Sequence, residues 1–293
     1  MQAVRSRWVQ AILYLALAIW TIICLFPIYW TIITSLKTPK AINTPKPSYI
    51  PWVQFQPTLK AFTDIFCTQD CADVYGASGM GNLARLFRNS FVASFSSALI
   101  AVIIGAMAAY ALSRFNYNRW KNKDIAFWFV SQRMLPPIAL VTPFFILFGK
   151  LDMIDKLPTL IIVYVAMNLP LTIWLLRDYF ADMPIEIEEA AMVDGASRYG
   201  SFFRMALPLA LPGLMVAFLF AFVFAWNEFL LSLTLTLDNA KTLPVQVAGN
   251  VTLRGPRFWD IAAQGLLVML PPLIIAIVAG RYIVRGMAAG AVK

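Results

Sequence analysis

Glu189-Ala190-Ala191-Met192-Val193-Asp194-Gly195-Ala196-Ser197-Arg198-Tyr199-Gly200-Ser201-Phe202-Phe203-Arg204-Met205-Ala206-Leu207-Pro208 is the longest polar segment in the second half of a chain otherwise dominated by apolar runs. Asp182 is placed to cap a helix that Pro184 opens, since proline has no N–H to leave unpaired in a first turn. Glu186, Glu188 and Glu189 then complement the positive end of the helix dipole. Gly195 ends that helix, because glycine takes the left-handed conformation that many helix C-termini require. Ser197 caps a second short helix running to Leu207, and Pro208 turns the chain into the next apolar run. The expected product is a knob of helix, glycine turn and helix.

The chain around this knob has 293 residues, 60% hydrophobic and 13% charged. Soluble domains carry about 25% charged residues, so the composition is that of a polytopic membrane protein. The net charge of +9 does not indicate nucleic acid, because the basic residues sit beside apolar runs rather than in an aromatic-laced patch. The chain has no histidine, which excludes a histidine proton relay and removes the commonest metal ligand, so no metal site is expected. Cys24 lies in an apolar run, whereas Cys67 and Cys71 are four apart in a polar loop, where a disulfide and free thiols both fit. Arg5 and Arg7 precede an apolar run of about 25 residues, too long for a signal-peptide core and without a small-residue cleavage site. It reads as a first span.

Crossing ~30 Å of hydrocarbon takes about 20 helical residues, and six stretches are long enough: Trp8–Thr34, Ser90–Ser113, Ile125–Gly149, Leu157–Leu176, Leu209–Leu235 and Ile261–Val284. None shows the alternating pattern of a membrane barrel. The expectation is an all-α membrane protein of six transmembrane helices. Basic residues are retained on the cytoplasmic side. Arg114, Arg119, Lys121 and Lys123 cluster in one loop, and Arg5, Arg7, Arg281, Arg285 and Lys293 lie at the ends, whereas the 150–156 link balances two lysines with two aspartates. Both termini are therefore expected inside, with outer loops at 35–89 and 236–260, the Glu189 loop (177–208) in the cytoplasm, and a cytoplasmic tail at 285–293. The whole of 1–293 reads as one transmembrane domain. Pro39, Pro45, Pro47, Pro51 and Pro57 should keep the first part of the first outer loop extended and stiff. The second outer loop, with Gly249, Gly255 and Pro256, reads as mobile and able to touch a soluble partner.

Glu189, Ala190, Ala191, Gly195, Leu207 and Pro208 fit the pattern E-A-A-x-x-x-G, nine residues, an apolar residue, x, Leu, Pro; Met205 stands where isoleucine is usual. This resembles the EAA loop of permease subunits in binding-protein-dependent ABC importers. Further stretches look like the carbohydrate-importing, maltose-type (MalG-like) group: Ser35-Leu36-Lys37, Ala109 to Phe115, Leu169-Pro170 with Trp174 to Arg177, Trp226-Asn227-Glu228-Phe229, and Gly286 to Lys293. The segment from Phe66 to Phe87 departs from that pattern. The resemblance implies a type I (MetI-like) permease fold in a bacterial-type cytoplasmic membrane. It also implies a heterodimer with a homologous permease, two ATPase subunits and an extracytoplasmic sugar-binding protein. Glu188, Glu189, Ala190, Ala191, Asp194, Gly195, Leu207 and Pro208 would then couple to the ATPase. The chain has no G-x-x-x-x-G-K-[ST] loop, so ATP and Mg are expected on the partner and no cofactor on this chain. No catalytic residue is expected.

Polar side chains inside spans cost enough to mark function, about 2.5–3.5 kcal/mol for a central charge on insertion scales. Gln132 and Arg133 precede Pro136 and Pro137, which should break the third span and expose carbonyls to a hydrophilic path. Asn227 and Glu228 are the strongly polar pair of the fifth. At ~1.5 Å rise per residue, Arg133 and Glu228 would lie about 16 Å apart in depth, which argues against a direct ion pair. Amides pair with sugar hydroxyls and indole rings cover sugar faces, so Asn168, Trp174, Trp226 and Asn227 join Gln132, Arg133 and Glu228 as candidate path residues. Two other readings stay open: an ion-coupled secondary transporter using Glu228, and an ABC permease for a non-sugar solute.

Overall fold

The computed structural model describes residues 7–66, 80–117, 119–252 and 255–290. Cys67 and Cys71 lie outside the described residues, as does the end of the tail. The helices are α1 (Arg7–Ser35), α2 (Pro39–Ile42), α3 (Lys60–Phe66), α4 (Met80–Arg114), α5 (Asn122–Ser131), α6 (Pro137–Lys150), α7 (Leu157–Ala181), α8 (Glu186–Val193), α9 (Arg198–Ser201), α10 (Leu207–Leu209), α11 (Leu211–Trp226), α12 (Leu230–Leu235), α13 (Leu243–Ala248) and α14 (Phe258–Gly290). A two-residue hairpin pairs β1 (Val251–Thr252) with β2 (Gly255–Pro256). Among the described residues, α1, α4, α7 and α14 are unbroken helices long and apolar enough to cross a membrane; two further candidate spans are bent pairs, giving six when each pair counts as one.

Both bends have a covalent cause. α5 and α6 meet at 87°, because Pro136 and Pro137 remove two backbone donors and force Leu135 and Pro136 into extended conformation. The segments 198–209 and 211–226 meet at 74°, with the break at Ala210, two residues before Pro212.

The chain divides into two compact units, one of residues 1–83 and 247–269, the other of residues 84–246 and 270–293. In the first, Ala61 and Ile65 of α3 bury against Ala263 of α14, with Trp259 and Leu267 alongside. Lys37 is also buried there; it donates to the Ser48 carbonyl (2.6 Å) and lies 4.4 Å over the Trp30 ring, and loss of hydration pulls its pKa down.

In the second unit, α4 carries Ala98, Ala101, Ala106 and Ala109 at no more than 2% exposure. Small residues let membrane helices approach closely: a Cβ on Gly105 would stand 2.7 Å from the Thr172 methyl, and one on Gly213 would stand 2.6 Å from the Tyr179 ring. Val102, Ala106, Leu176, Phe180, Phe202 and Ala217 form one core cluster, and Phe148, Leu160, Tyr164, Ala225 and Leu231 another.

Three expectations need correction. Pro39 does not resist helix; it opens α2, where Thr38 caps and proline's missing N–H costs nothing. α4 starts at Met80, ten residues before the expected Ser90, since Arg85 and Asn89 find partners at Asp238, Asn239 and Lys241. The fifth span does not run unbroken to Leu235; it stops at Trp226 and restarts at Leu230. The loop after it is tethered at its start. Asp155, at φ +61°, accepts from the backbone N–H of Leu237, Asp238, Asn239 and Ala240 at 2.9–3.3 Å. Partial burial pushes this carboxyl up, but the four donors outweigh that and hold it at about 2.

Candidate functional site

The 182–209 segment is a knob, with some parts differing from expectation. Asp182 closes α7 instead of capping α8, which begins at Glu186 behind Ile185 with no side-chain cap. Glu186, Glu188 and Glu189 do occupy its first turn. Gly195 turns the chain at φ +91°, in open space, and the Ser197 hydroxyl accepts from the Gly200 N–H at 3.1 Å. The second helix is not one run to Leu207. One turn of α9 passes into a π-turn over Phe202–Ala206 and then α10, where Pro208 sits in the first turn; the chain direction changes at Ala210.

The knob divides its carboxylates sharply. Glu186, Glu189 and Asp194 are exposed, with Ala190, Met192 and Gly195, and Val193 and Tyr199 project at 86% and 79% exposure. Ala191 and Glu188 are buried. Arg114 Nε donates to Glu188 Oε1 at 2.8 Å, the side chains being 9% and 5% exposed. Tyr110 OH donates to Oε2 at 2.5 Å, and Arg114 also donates to the Met183 carbonyl at 3.1 Å. Tyr110 packs its ring on Phe180 and Phe202. Next to this cluster, Met107, Phe115, Arg198, Tyr199 and Phe203 line a pocket of about 280 Å³. Tyr110 and Arg114 entered the sequence reading only through topology and resemblance, not as partners of the knob. Their one-turn spacing at the end of a span was the available signal.

The residues expected along a path fall into two groups. Gln132 and Arg133 lie exposed at the α5–α6 break, and the Arg133 guanidinium stands 4.6 Å over the ring of Phe224, which is also exposed. Asn227, three residues on from Phe224, is exposed at the end of α11, its amide donating to the Val223 carbonyl. Phe224 joins this polar edge without having been singled out by sequence. Glu228 does not meet Arg133; its carboxylate accepts from the N–H groups of Leu231 (2.8 Å) and Ser232 (3.0 Å), capping α12. Asn168 is buried at 4% and bonds within α7, donating to the Tyr164 carbonyl. Trp226, 1% exposed, stacks on Phe222 and meets Phe87 edge-on. Trp174 is exposed on α7. Among the described residues no group of three or more Cys, Asp or Glu is placed to hold a metal.

Membrane-length helices, two proline-linked breaks and a polar two-helix loop between spans define a multi-pass membrane permease. Residues 101–289 match the family described as "Binding-protein-dependent transport system inner membrane component", and the chain belongs to that family. It is similar to the inner membrane ABC transporter permease protein YcjP of Escherichia coli (strain K12), 34% identical over 96% of this chain and 95% of the relative. The trehalose/maltose transport system permease protein MalG of Thermococcus litoralis is 31% identical, covering 97% of each chain. Among solved structures, a bacterial ABC transporter involved in the import of the acidic polysaccharide alginate superposes with a TM-score of 0.70 at 19% identity, over 96% of this chain and 99% of that one. The fold is thus the MetI-like permease fold, and the chain is a transport component of the cytoplasmic membrane rather than an enzyme.

Proposed function

We propose that this chain is one permease subunit of an ATP-driven importer for a sugar, and that the 182–209 knob is its contact with a cytoplasmic ATPase. The observation that carries the reading is the shape of the E-A-A loop. Gly195 at φ +91° folds it back, and Glu189, Ala190, Asp194 and Gly195 face outward with Val193 and Tyr199 projecting bare. An exposed apolar tip rimmed by carboxylates suits a cleft on a protein partner. The bias of Lys and Arg towards the 114–123 loop and the ends supports a cytoplasmic position for knob and termini. Nucleotide and Mg then belong to two ATPase subunits, and a homologous permease completes the path. A sugar-binding protein delivers solute to the opposite face. The names of the trehalose/maltose relative and the alginate importer support sugar over other solutes. The exposed edge of Gln132, Arg133, Phe224 and Asn227 offers the amides, cation and ring that sugars use.

The test is affinity purification of the tagged chain from its native membranes in mild detergent. The parent should bring down a second permease and an ATPase. Gly195→Asp forces a side chain into a backbone region that L-residues rarely adopt, and should reduce the recovered ATPase about ten-fold or more. A parent that purifies alone and transports when reconstituted would overturn the reading.

A further inference from the structure

We propose that α4 is a relay that carries movement of the knob across the membrane to the loop at 237–243, with Arg114 and Tyr110 as positioning residues for that relay. The proposal rests on the reading of the knob as the ATPase contact and goes beyond it, since neither residue belongs to the E-A-A loop.

One end of α4 is fastened to the knob by charge. Arg114 and Tyr110, one turn apart, hold the two oxygens of Glu188 at 2.8 and 2.5 Å, and the ion pair is almost wholly out of water. The other acids of the knob are exposed. A buried pair of this kind tolerates little sliding, because separating the charges leaves each desolvated and unmatched. Displacing α8 must therefore displace the end of α4. The other end is fastened to a different loop. Asn89 donates to the carbonyls of Asn239 (2.7 Å) and Lys241 (3.1 Å), Ser90 Oγ accepts from the Leu243 N–H at 2.8 Å, and Arg85 pairs with Asp238. Between these anchors α4 is helical throughout, about 45 Å at 1.5 Å per residue. It has no internal proline to absorb strain. A stiff element with polar anchors at both ends and alanines between them is built to shift as a unit.

The experiment uses the assembled transporter in nanodiscs, with Cys24, Cys67 and Cys71 replaced by serine and Leu237→Cys carrying an environment-sensitive fluorophore; Leu237 is 75% exposed. Trapping the ATPase with Mg-ATP and vanadate should shift the emission at position 237 in the parent. Arg114→Gln should cut that shift about five-fold per ATPase-active complex, and Arg114→Lys, which keeps the charge, should restore part of it. Tyr110→Phe keeps the ring packing and removes one donor, so it remains informative if Arg114→Gln assembles poorly; it should give an intermediate loss. A merely structural clamp would lower yield and leave the shift per active complex intact, which would overturn the relay. So would a parent that hydrolyses ATP without any shift at position 237. Failure of the ATPase to co-purify would instead sink the reading of the knob itself.

Discussion

At the scale of the residue, Glu188 and Glu189 are adjacent carboxylates with opposite fates. On an eight-residue helix, neighbours point about 100° apart, so one faces Arg114 and the other faces solvent. Burial of Glu188 with its partner contributes little net stability, but removing one member exposes the full cost of an unmatched charge. Gly213 is decided by space rather than charge. A methyl there would press on the Tyr179 ring at 2.6 Å, and Gly213→Ala should destabilise the α7–α11 packing by about 1–3 kcal/mol. The measurement is the midpoint of thermal inactivation of the purified complex; an unchanged midpoint would mean that the ring swings aside at no cost.

At the scale of the element, the 236–242 loop is held by the Asp155 carboxylate filling a concavity of four backbone N–H groups. Since the folded value is about 2 and an unperturbed aspartate titrates near 3.9, the staple's contribution is fully present above about pH 4. It is lost as pH falls through about 2. Asp155→Asn should therefore be less stable than the parent by a constant margin from pH 8 to pH 5, and the two should converge only below about pH 4. Detergent-solubilised thermal melts across that range check it; a gap that closes near neutral pH would refute the assignment. The two bent spans show the same economy at larger size. Pro136–Pro137 and Ala210–Pro212 set the direction of helices that composition alone would draw straight.

At the scale of the whole molecule, the two readings of what drives transport part at Glu228. Glu228, the carboxylate an ion-coupled carrier would need, has both oxygens engaged in capping α12. Glutamine keeps one capping oxygen, so Glu228→Gln should retain about half or more of the parent's ATP-driven uptake in proteoliposomes with the proton gradient collapsed. A parent whose uptake stops when the proton gradient is collapsed, with ATP still present, would restore the carrier reading. The knob with its glycine turn, the apolar spans and the broken third span were legible in the chain itself. Each rests on local covalent chemistry: proline lacks an N–H, glycine lacks a Cβ, and about 20 apolar residues match the hydrocarbon thickness. Tertiary structure alone decided which glutamate is buried, that Tyr110 and Arg114 of a distant helix receive it, that Arg133 lies over Phe224, and that Asn168 and Trp226 are enclosed. Those outcomes depend on which faces of separate helices meet. Periodicity within one helix cannot state that, because the partner of a buried charge or ring lies many residues away and is chosen by packing.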